Sequence, residues 1–328
     1  MLEDNKKGID CIDRMNQLGH SATPFIFILD FEGDKPLVYS PEEAEQQGIH
    51  LVLPGIIINP SNLGRYVIPS IRKEPVSFEE YLEAFNLVML NLKRGNSYLT
   101  NLTFPTRIHM DSTLDQLFAI SSAPYKLLFK NEFLVFSPEP FVRITKGHIS
   151  SFPMKGTIRS SVPDARNRIL ANAKEAAEHA TIVDLIRNDL SQVAREVQVK
   201  RYRYIEEIKT SGENLFQVSS EVSGILPPDY REHIGDILAA LLPAGSVTGA
   251  PKEKTVEIIR QAERQPRGYY TGIFGYFDGA GLESAVMIRF IEQIKGEFWY
   301  RSGGGITSNS LAEDEYNELI DKVYVPVS

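Results

Sequence analysis

Four carboxylates in this chain fall into two pairs at helical spacing. Glu175 and Glu178 stand three apart in Glu175-Ala-Ala-Glu178-His179, and Glu315 and Glu318 repeat the interval in Asp314-Glu315-Tyr316-Asn317-Glu318. Residues i and i+3 share a helix face, so two such helices that met would present four oxygen donors to one point. That donor set suits Mg²⁺, which takes hard oxygen ligands and keeps waters that a substrate carboxylate or phosphate can replace. The competing reading is two solvated acidic faces, the ordinary fate of Glu on a helix.

Three further features have chemical potential. Lys155, in Phe152-Pro153-Met154-Lys155-Gly156-Thr157, follows apolar residues and precedes Gly. A partly desolvated amine there would lose its charge more readily and become a nucleophile, whereas a lone lysine is otherwise a surface charge. The run Gly245-Ser246-Val247-Thr248-Gly249-Ala250-Pro251-Lys252 opens a helix, and Ser302-Gly303-Gly304-Gly305-Ile306 reads as a second permissive loop. Glycines at a helix start expose backbone N–H groups that can cradle an anion, although a glycine cluster is as readily a turn or bulge. The first run is not a P-loop, because Lys252 does not follow Gly and no Ser or Thr follows it. Arg289 ends the apolar run 285–288 in a predicted strand, where an inward guanidinium needs a partner such as a carboxylate. Together these residues suit a small polyanion and a metal.

The elements that must position them can also be read. Ser77 and Glu80 form a capping-box pattern ahead of Tyr81, Phe85, Val88 and Leu92, with Gly95 as the stop. Short β runs then pair across turns: 127–129 with 134–136, 142–145 with 149–152, and 273–277 with 284–292. Helical stretches near 164–190, 232–242, 252–264 and 311–322 are inserted between hairpins, which favours an antiparallel α+β architecture over a parallel sheet. Residues 1–75 read as a short β-rich region with irregular connections, and 76–328 as the catalytic domain.

Composition narrows the class. With 42% hydrophobic residues among 328, the chain can bury a large core, and no apolar run approaches a membrane span. A net charge of -8 gives no continuous basic surface for a nucleic acid backbone. The single Cys11 excludes an internal disulfide, and no signal-peptide stretch is present, so a cytoplasmic location is expected.

Taken in order, Ser137-Pro138-Glu139, Pro153-Met154-Lys155-Gly156-Thr157, Asp184-Leu185-Ile186-Arg187-Asn188-Asp189, the Gly245 to Lys252 run, Tyr270-Thr271-Gly272-Ile273-Phe274-Gly275-Tyr276, Ile288-Arg289, Gly303-Gly304-Gly305-Ile306 and Glu315-Tyr316-Asn317-Glu318 resemble the motif series of the chorismate-utilising enzymes. The resemblance covers about residues 77 to 325. It implies an anthranilate synthase component I-like sandwich of large antiparallel sheets with surrounding helices, with Mg²⁺ and chorismate in a central cleft. Glu178 and Glu318 would be the principal metal ligands, with Glu175 and Glu315 close by. Tyr270, Arg289 and the backbone at Gly304 and Gly305 would hold the enolpyruvyl carboxylate, and Ser246, Thr248 and Gly249 would complete the substrate wall.

Within the family, Lys155 in Pro-x-Lys-Gly-Thr resembles the aminodeoxychorismate synthases, where anthranilate synthases usually carry Ala. This implies Lys155 as covalent nucleophile and Glu139 as general acid, with ammonia supplied by a separate glutamine amidotransferase subunit. Ser246 resembles the amino-transferring members, and Leu99 stands where isochorismate and salicylate synthases have a water-activating lysine. Phe216 replaces the family histidine associated with pyruvate loss, which disfavours anthranilate formation, and His179 reads as a helix-face histidine. The lead expectation is amination of chorismate; an anthranilate synthase component and a non-catalytic chorismate-binding subunit are the alternatives. The short amino-terminal region makes tryptophan feedback control unexpected.

Overall fold

The computed structural model of the chain describes residues 2–60, 70–208 and 214–327. Two nine-stranded sheets face each other. The first runs Met154–Arg159, Leu215–Ile225, His148–Ser151, Pro140–Thr145, Leu282–Val286, Ile273–Phe277, Phe25–Leu29, Leu37–Tyr39, with Arg195–Ile208 also on Leu215–Ile225. The second runs Gly249–Ala250, Leu99–His109, Glu297–Ile306, Phe290–Ile294, Phe133–Ser137, Tyr125–Phe129, Ile49–Leu53, Ile56–Ile58, with Arg72–Glu74 also on Leu99–His109. Every pairing is antiparallel. The α+β sandwich expected from the sequence is the fold.

Side-chain alternation divides each strand between two cores. Ile26, Ile28 and Phe274 of the first sheet pack with Leu51, Leu127 and Val135 of the second. Phe25, Phe27 and Leu29 point the other way, onto Ile12 and Met15 of helix Lys6–His20 and Ile234 and Leu238 of helix Ile234–Leu241. With both faces covered, Phe25–Leu29 is buried at all five positions, which is why it reads as a continuous apolar run. Helices Phe78–Lys93, Lys252–Glu263 and Ala312–Asp321 cover the outer face of the second sheet through Tyr81, Phe85, Ile258 and Leu319.

The described residues of 1–75 form no sheet of their own. Phe25–Leu29 pairs with Ile273–Phe277 and Ile49–Leu53 with Tyr125–Phe129, so this region is woven into both sheets. It also contributes helices Lys6–His20 and Pro41–Gln46, which the β reading missed. The longer one buries Cys11, Ile12 and Met15, with Leu18 packed at the edge, and starts at Asn5, whose side chain accepts the Gly8 N–H. The stretch near 164–190 is two helices, Ala165–Ala171 and Ala173–Leu190, divided at Asn172. Of the Ser77 capping box only the bond from the Glu80 N–H to the Ser77 hydroxyl forms.

Candidate active site

The chain crosses from sheet to sheet at two adjacent places, and each crossing carries a functional side chain. Ser137-Pro138-Glu139 leads from Phe133–Ser137 into Pro140–Thr145, and Met287-Ile288-Arg289 leads from Leu282–Val286 into Phe290–Ile294. The expected continuous strand 284–292 is therefore two strands in different sheets, with Arg289 between them at φ 53° rather than inside one. The crossings are tied together: the Val286 N–H donates to the Glu139 carbonyl and the Phe136 N–H to the Arg289 carbonyl, each at 3.1 Å.

Beside them opens a cavity of about 450 Å³. Glu139, Lys155, Tyr270 and Arg289 line it, as do Ser246, Thr248 and Gly249 from one loop and Gly304 and Gly305 from one strand. Glu175, Glu178, Glu315 and Glu318 complete the acidic part of its wall. Every candidate site residue taken from the sequence thus borders one space.

Glu139 is the buried acid. Burial raises its carboxyl above the ordinary carboxylate range, against the lowering effect of the Ser246 hydroxyl, which donates to it, and of Lys155, Arg289 and Lys322. The carboxyl therefore keeps its proton to higher pH than an ordinary carboxylate, the direction a general acid would need. Burial also pushes the Tyr270 phenol up to about 12, which keeps it a neutral hydrogen-bond donor. The Arg289 guanidinium lies 5.1 Å from the centre of the Tyr324 ring.

Lys155 sits in the strand Met154–Arg159, where the pairing with Leu215–Ile225 slips between Lys155 and Thr157. Its Nζ is 3.3 Å from Glu178 Oε2. Helix Ala173–Leu190 delivers Glu175 and Glu178, with the Asn172 side chain accepting the Glu175 N–H as its cap. Across the cavity helix Ala312–Asp321 delivers Glu315, which accepts from the Ser310 hydroxyl at 2.7 Å, and Glu318, paired with Lys322 Nζ at 2.6 Å. Among the described residues no three acidic, His or Cys side chains converge as a closed metal cage. The donors are nevertheless all carboxylate oxygens, the set a Mg²⁺ ion takes, and they stand on two walls of the same cavity.

Both glycine segments differ from the loops expected. Gly303, Gly304 and Gly305 lie inside the strand Glu297–Ile306, opposite Thr103, Leu102 and Asn101. Their lack of side chains makes room: a Cβ on Gly304 would come 3.2 Å from Glu315 Oε2 and 3.8 Å from Glu318 Oε1. In the other segment, Gly245–Val247 is a single 3₁₀ turn and Gly249–Ala250 a short strand. Gly249 needs its φ of +130° and has no space for a Cβ, which would meet the Leu99 carbonyl at 1.9 Å. The Val247 and Thr248 N–H groups are spent on Ala244 and Gly245 carbonyls, and Lys252 is held beneath the loop by Asp189 at 2.8 Å. The loop is braced from below rather than being an open anion cradle.

Four wall residues escaped the sequence reading: Asn101, Gln217, Arg301 and Lys322. Lys322 had a signal, standing four residues after Glu318 on the same helix face. Arg301, whose Nε donates to Glu292 at 2.5 Å, had none beyond its place before the glycines. Leu99 borders the cavity as well, whereas His179 and Phe216 do not. His179 is not on an open helix face: it is buried, 2.6 Å from the Ser220 hydroxyl, and burial, with Arg203 and Lys155 adding, drives its pKa to about 4. Phe216 lies under the Arg166 guanidinium, 4.3 Å from the ring centre.

A buried acid, an amine, an arginine and paired carboxylates around one cavity between antiparallel sheets define a site for a small polyanionic molecule. Residues 26–328 match the family model of the chorismate binding enzymes, and the chain belongs to that family. It is 52% identical over 319 residues, 96% of both chains, to an uncharacterized PabA-like protein of Haemophilus influenzae. It is 34% identical over 259 residues to aminodeoxychorismate synthase component 1 of Salmonella typhimurium, covering 74% of this chain and 56% of that one. The menaquinone-specific isochorismate synthase MenF of Escherichia coli superposes with a TM-score of 0.72 at 17% identity, over 94% of this chain and 79% of that one, a likeness of fold.

Proposed function

We propose that this protein aminates chorismate with ammonia to give 4-amino-4-deoxychorismate, as an aminodeoxychorismate synthase component I serving p-aminobenzoate and folate synthesis in the cytoplasm. The observation that carries the reading is Lys155 on the wall of the cavity that also holds Glu139, whose carboxyl is raised by desolvation. Lys155 leaves its ion pair with Glu178, gives its ammonium proton to solvent, and its neutral amine attacks ring carbon 2. Both ring double bonds shift by one bond and the hydroxyl departs from carbon 4 as water, taking the proton of Glu139. Ammonia then adds at carbon 4, both double bonds shift back, and the lysine is expelled as the neutral amine; the Glu139 carboxylate recovers a proton from the new ammonium group. Atoms balance as chorismate plus ammonia giving aminodeoxychorismate plus water.

Glu178 and Glu318, with Glu175 and Glu315 beside them, would hold Mg²⁺. When bound, the ion would draw electron density through the ring carboxylate. Tyr270 and Arg289, with the backbone of Gly304 and Gly305, orient the enolpyruvyl carboxylate, and Ser246, Thr248 and Gly249 close the opposite side. Ammonia comes from a separate glutamine amidotransferase, because the single cysteine, Cys11, is buried in the helix-covered core. The name of the Salmonella typhimurium relative, a component 1, agrees with a partner subunit.

Phe216 offers no proton shuttle and does not border the cavity, which favours amination without pyruvate loss over anthranilate formation. The test is incubation of the purified chain with chorismate, Mg²⁺ and an ammonium salt at mildly alkaline pH, with products identified by mass spectrometry. Aminodeoxychorismate with its pyruvyl group attached is the expected product. Anthranilate and free pyruvate would replace the reading with an anthranilate synthase. Chorismate binding without turnover, with and without a glutaminase, would support a binding subunit.

A further inference from the structure

Glu139 and Ser246, joined by the hydrogen bond from the Ser246 hydroxyl, border a second and much smaller space as well as the cavity. It measures about 10 Å³, room for a single water-sized molecule and nothing larger. Its remaining walls are nearly all carbon: Phe141 of the strand Pro140–Thr145, Phe152 and Pro153 just after the strand His148–Ser151, and Ile186 of helix Ala173–Leu190. Apart from Glu139 and Ser246, the only polar side chain on it is Ser151, whose hydroxyl donates to the Phe141 carbonyl at 2.8 Å. Phe141, Ser151, Phe152 and Ile186 do not border the cavity, so the two spaces meet at Glu139 and Ser246.

We propose that this pocket is the port by which ammonia reaches ring carbon 4 and the water formed there leaves, an inference that rests on the amination reading and deepens it. In that reading carbon 4 loses water and gains ammonia while the ring is joined to Lys155, so the substrate occupies the cavity throughout the exchange. The exchange takes place beside Glu139, the acid assigned to the departing hydroxyl, and the pocket adjoins that residue. Once the hydroxyl has left with its proton, Glu139 is a carboxylate that accepts an N–H of ammonia, and the ammonia lone pair stays free for carbon 4.

The lining also selects the reactive species. Walls of carbon admit neutral ammonia and resist ammonium, which would shed its hydration for few partners. The size of the pocket excludes anything as large as chorismate. A surface hollow beside Trp299 meets the cavity too, at Arg301, but Glu139 is not on its wall.

Ser151→Val and Ser151→Ala test the port. Both lose the bond to the Phe141 carbonyl, and only Val, which suits a strand, fills the pocket. With saturating chorismate and Mg²⁺ and titrated ammonium salt, Ser151→Val is expected to raise the ammonia KM at least about tenfold, because each entering molecule has to displace packed atoms. Ser151→Ala should stay within about twofold of wild type, and the chorismate KM within about twofold in both variants, since Ser151 is not on the cavity wall. Ile186→Phe fills the same pocket from the helix and carries the test where Ser151→Val does not fold. An unchanged ammonia KM in the filled variant, an equal rise in Ser151→Ala, or a parallel rise in both KM values would overturn the port and leave amination standing. A wild-type chain that binds chorismate and never aminates it would overturn amination itself, and the port with it.

Discussion

Two ion pairs lie close to the same strands and are built in opposite ways. Arg267 and Glu263, at 1% and 2% side-chain exposure, meet at 2.6 Å, and nearly every remaining donor and acceptor is satisfied: Arg267 by Val247 and Asn101 carbonyls, Glu263 by the Thr103 N–H and hydroxyl. Lys155 and Glu178 meet at 3.3 Å with 29% and 16% exposure, on the cavity wall. The sealed pair has no route to solvent or substrate and binds three segments of backbone together. The open pair is loose enough to separate, as the proposed nucleophile and metal ligand would have to. A buried charge is tolerable when its geometry is complete, and a functional charge has to be left incomplete.

The largest effect expected from this contrast is on activity at the open pair. Lys155→Ala should lower amination at least about a thousandfold while moving folding stability by no more than about 1 kcal/mol, since a partly exposed pair contributes little. Product analysis and urea unfolding of the same preparation check both halves. Amination at the wild-type rate would end the covalent role of the lysine. The reverse pattern belongs to the sealed pair: Arg267→Met should cost about 3–5 kcal/mol by stranding the Glu263 charge. The double change Arg267→Met with Glu263→Leu should recover part of that in the unfolding midpoint. If the double variant is as unstable as the sum of its parts, the pair is not a coupled unit.

The same contrast separates what the sequence makes legible from what it does not. The carboxylate pairs announce themselves because i, i+3 spacing is local, and the hairpins at 127–136 and 142–152 because a turn of three residues is local. The motif order then carries Glu139 and Lys155, which no spacing could identify. Asn101 stays hidden because its backbone partners, Thr248 and Arg267, stand 147 and 166 residues away, whereas Arg267 carries a local signal in Glu263 four residues before it. Arg289 reads as a strand residue because the apolar run 285–288 leads straight through it to Phe290 and Ile291; the left-handed turn that divides Leu282–Val286 and Phe290–Ile294 between sheets leaves no compositional mark. Helix Lys6–His20 escapes a periodicity reading because its buried stripe is narrow and an apolar residue, Ile9, stands exposed beside it.

Glu139 is the third case, a partly buried ionisable group with no sealed counter-ion, and desolvation shifts its balance toward the protonated form. Because its folded-state pKa is raised above the ordinary 4.5, its contribution to stability is complete below that value and is lost as pH rises through the raised one. If Glu139 is the proposed general acid, activity should fall over the same upper range as it is deprotonated. The Ser246 hydroxyl lowers that pKa by donating to the carboxylate, so Ser246→Ala should move the alkaline limb of kcat/KM for chorismate upward, with only a severalfold loss at neutral pH for one hydrogen bond. Glu139→Gln should erase both the limb and the matching slope of stability against pH. A downward shift in Ser246→Ala would mean that Ser246 supports the protonated acid, and would place Glu139 among groups stabilised by a dedicated partner, as Glu263 is, rather than among those left incomplete for chemistry.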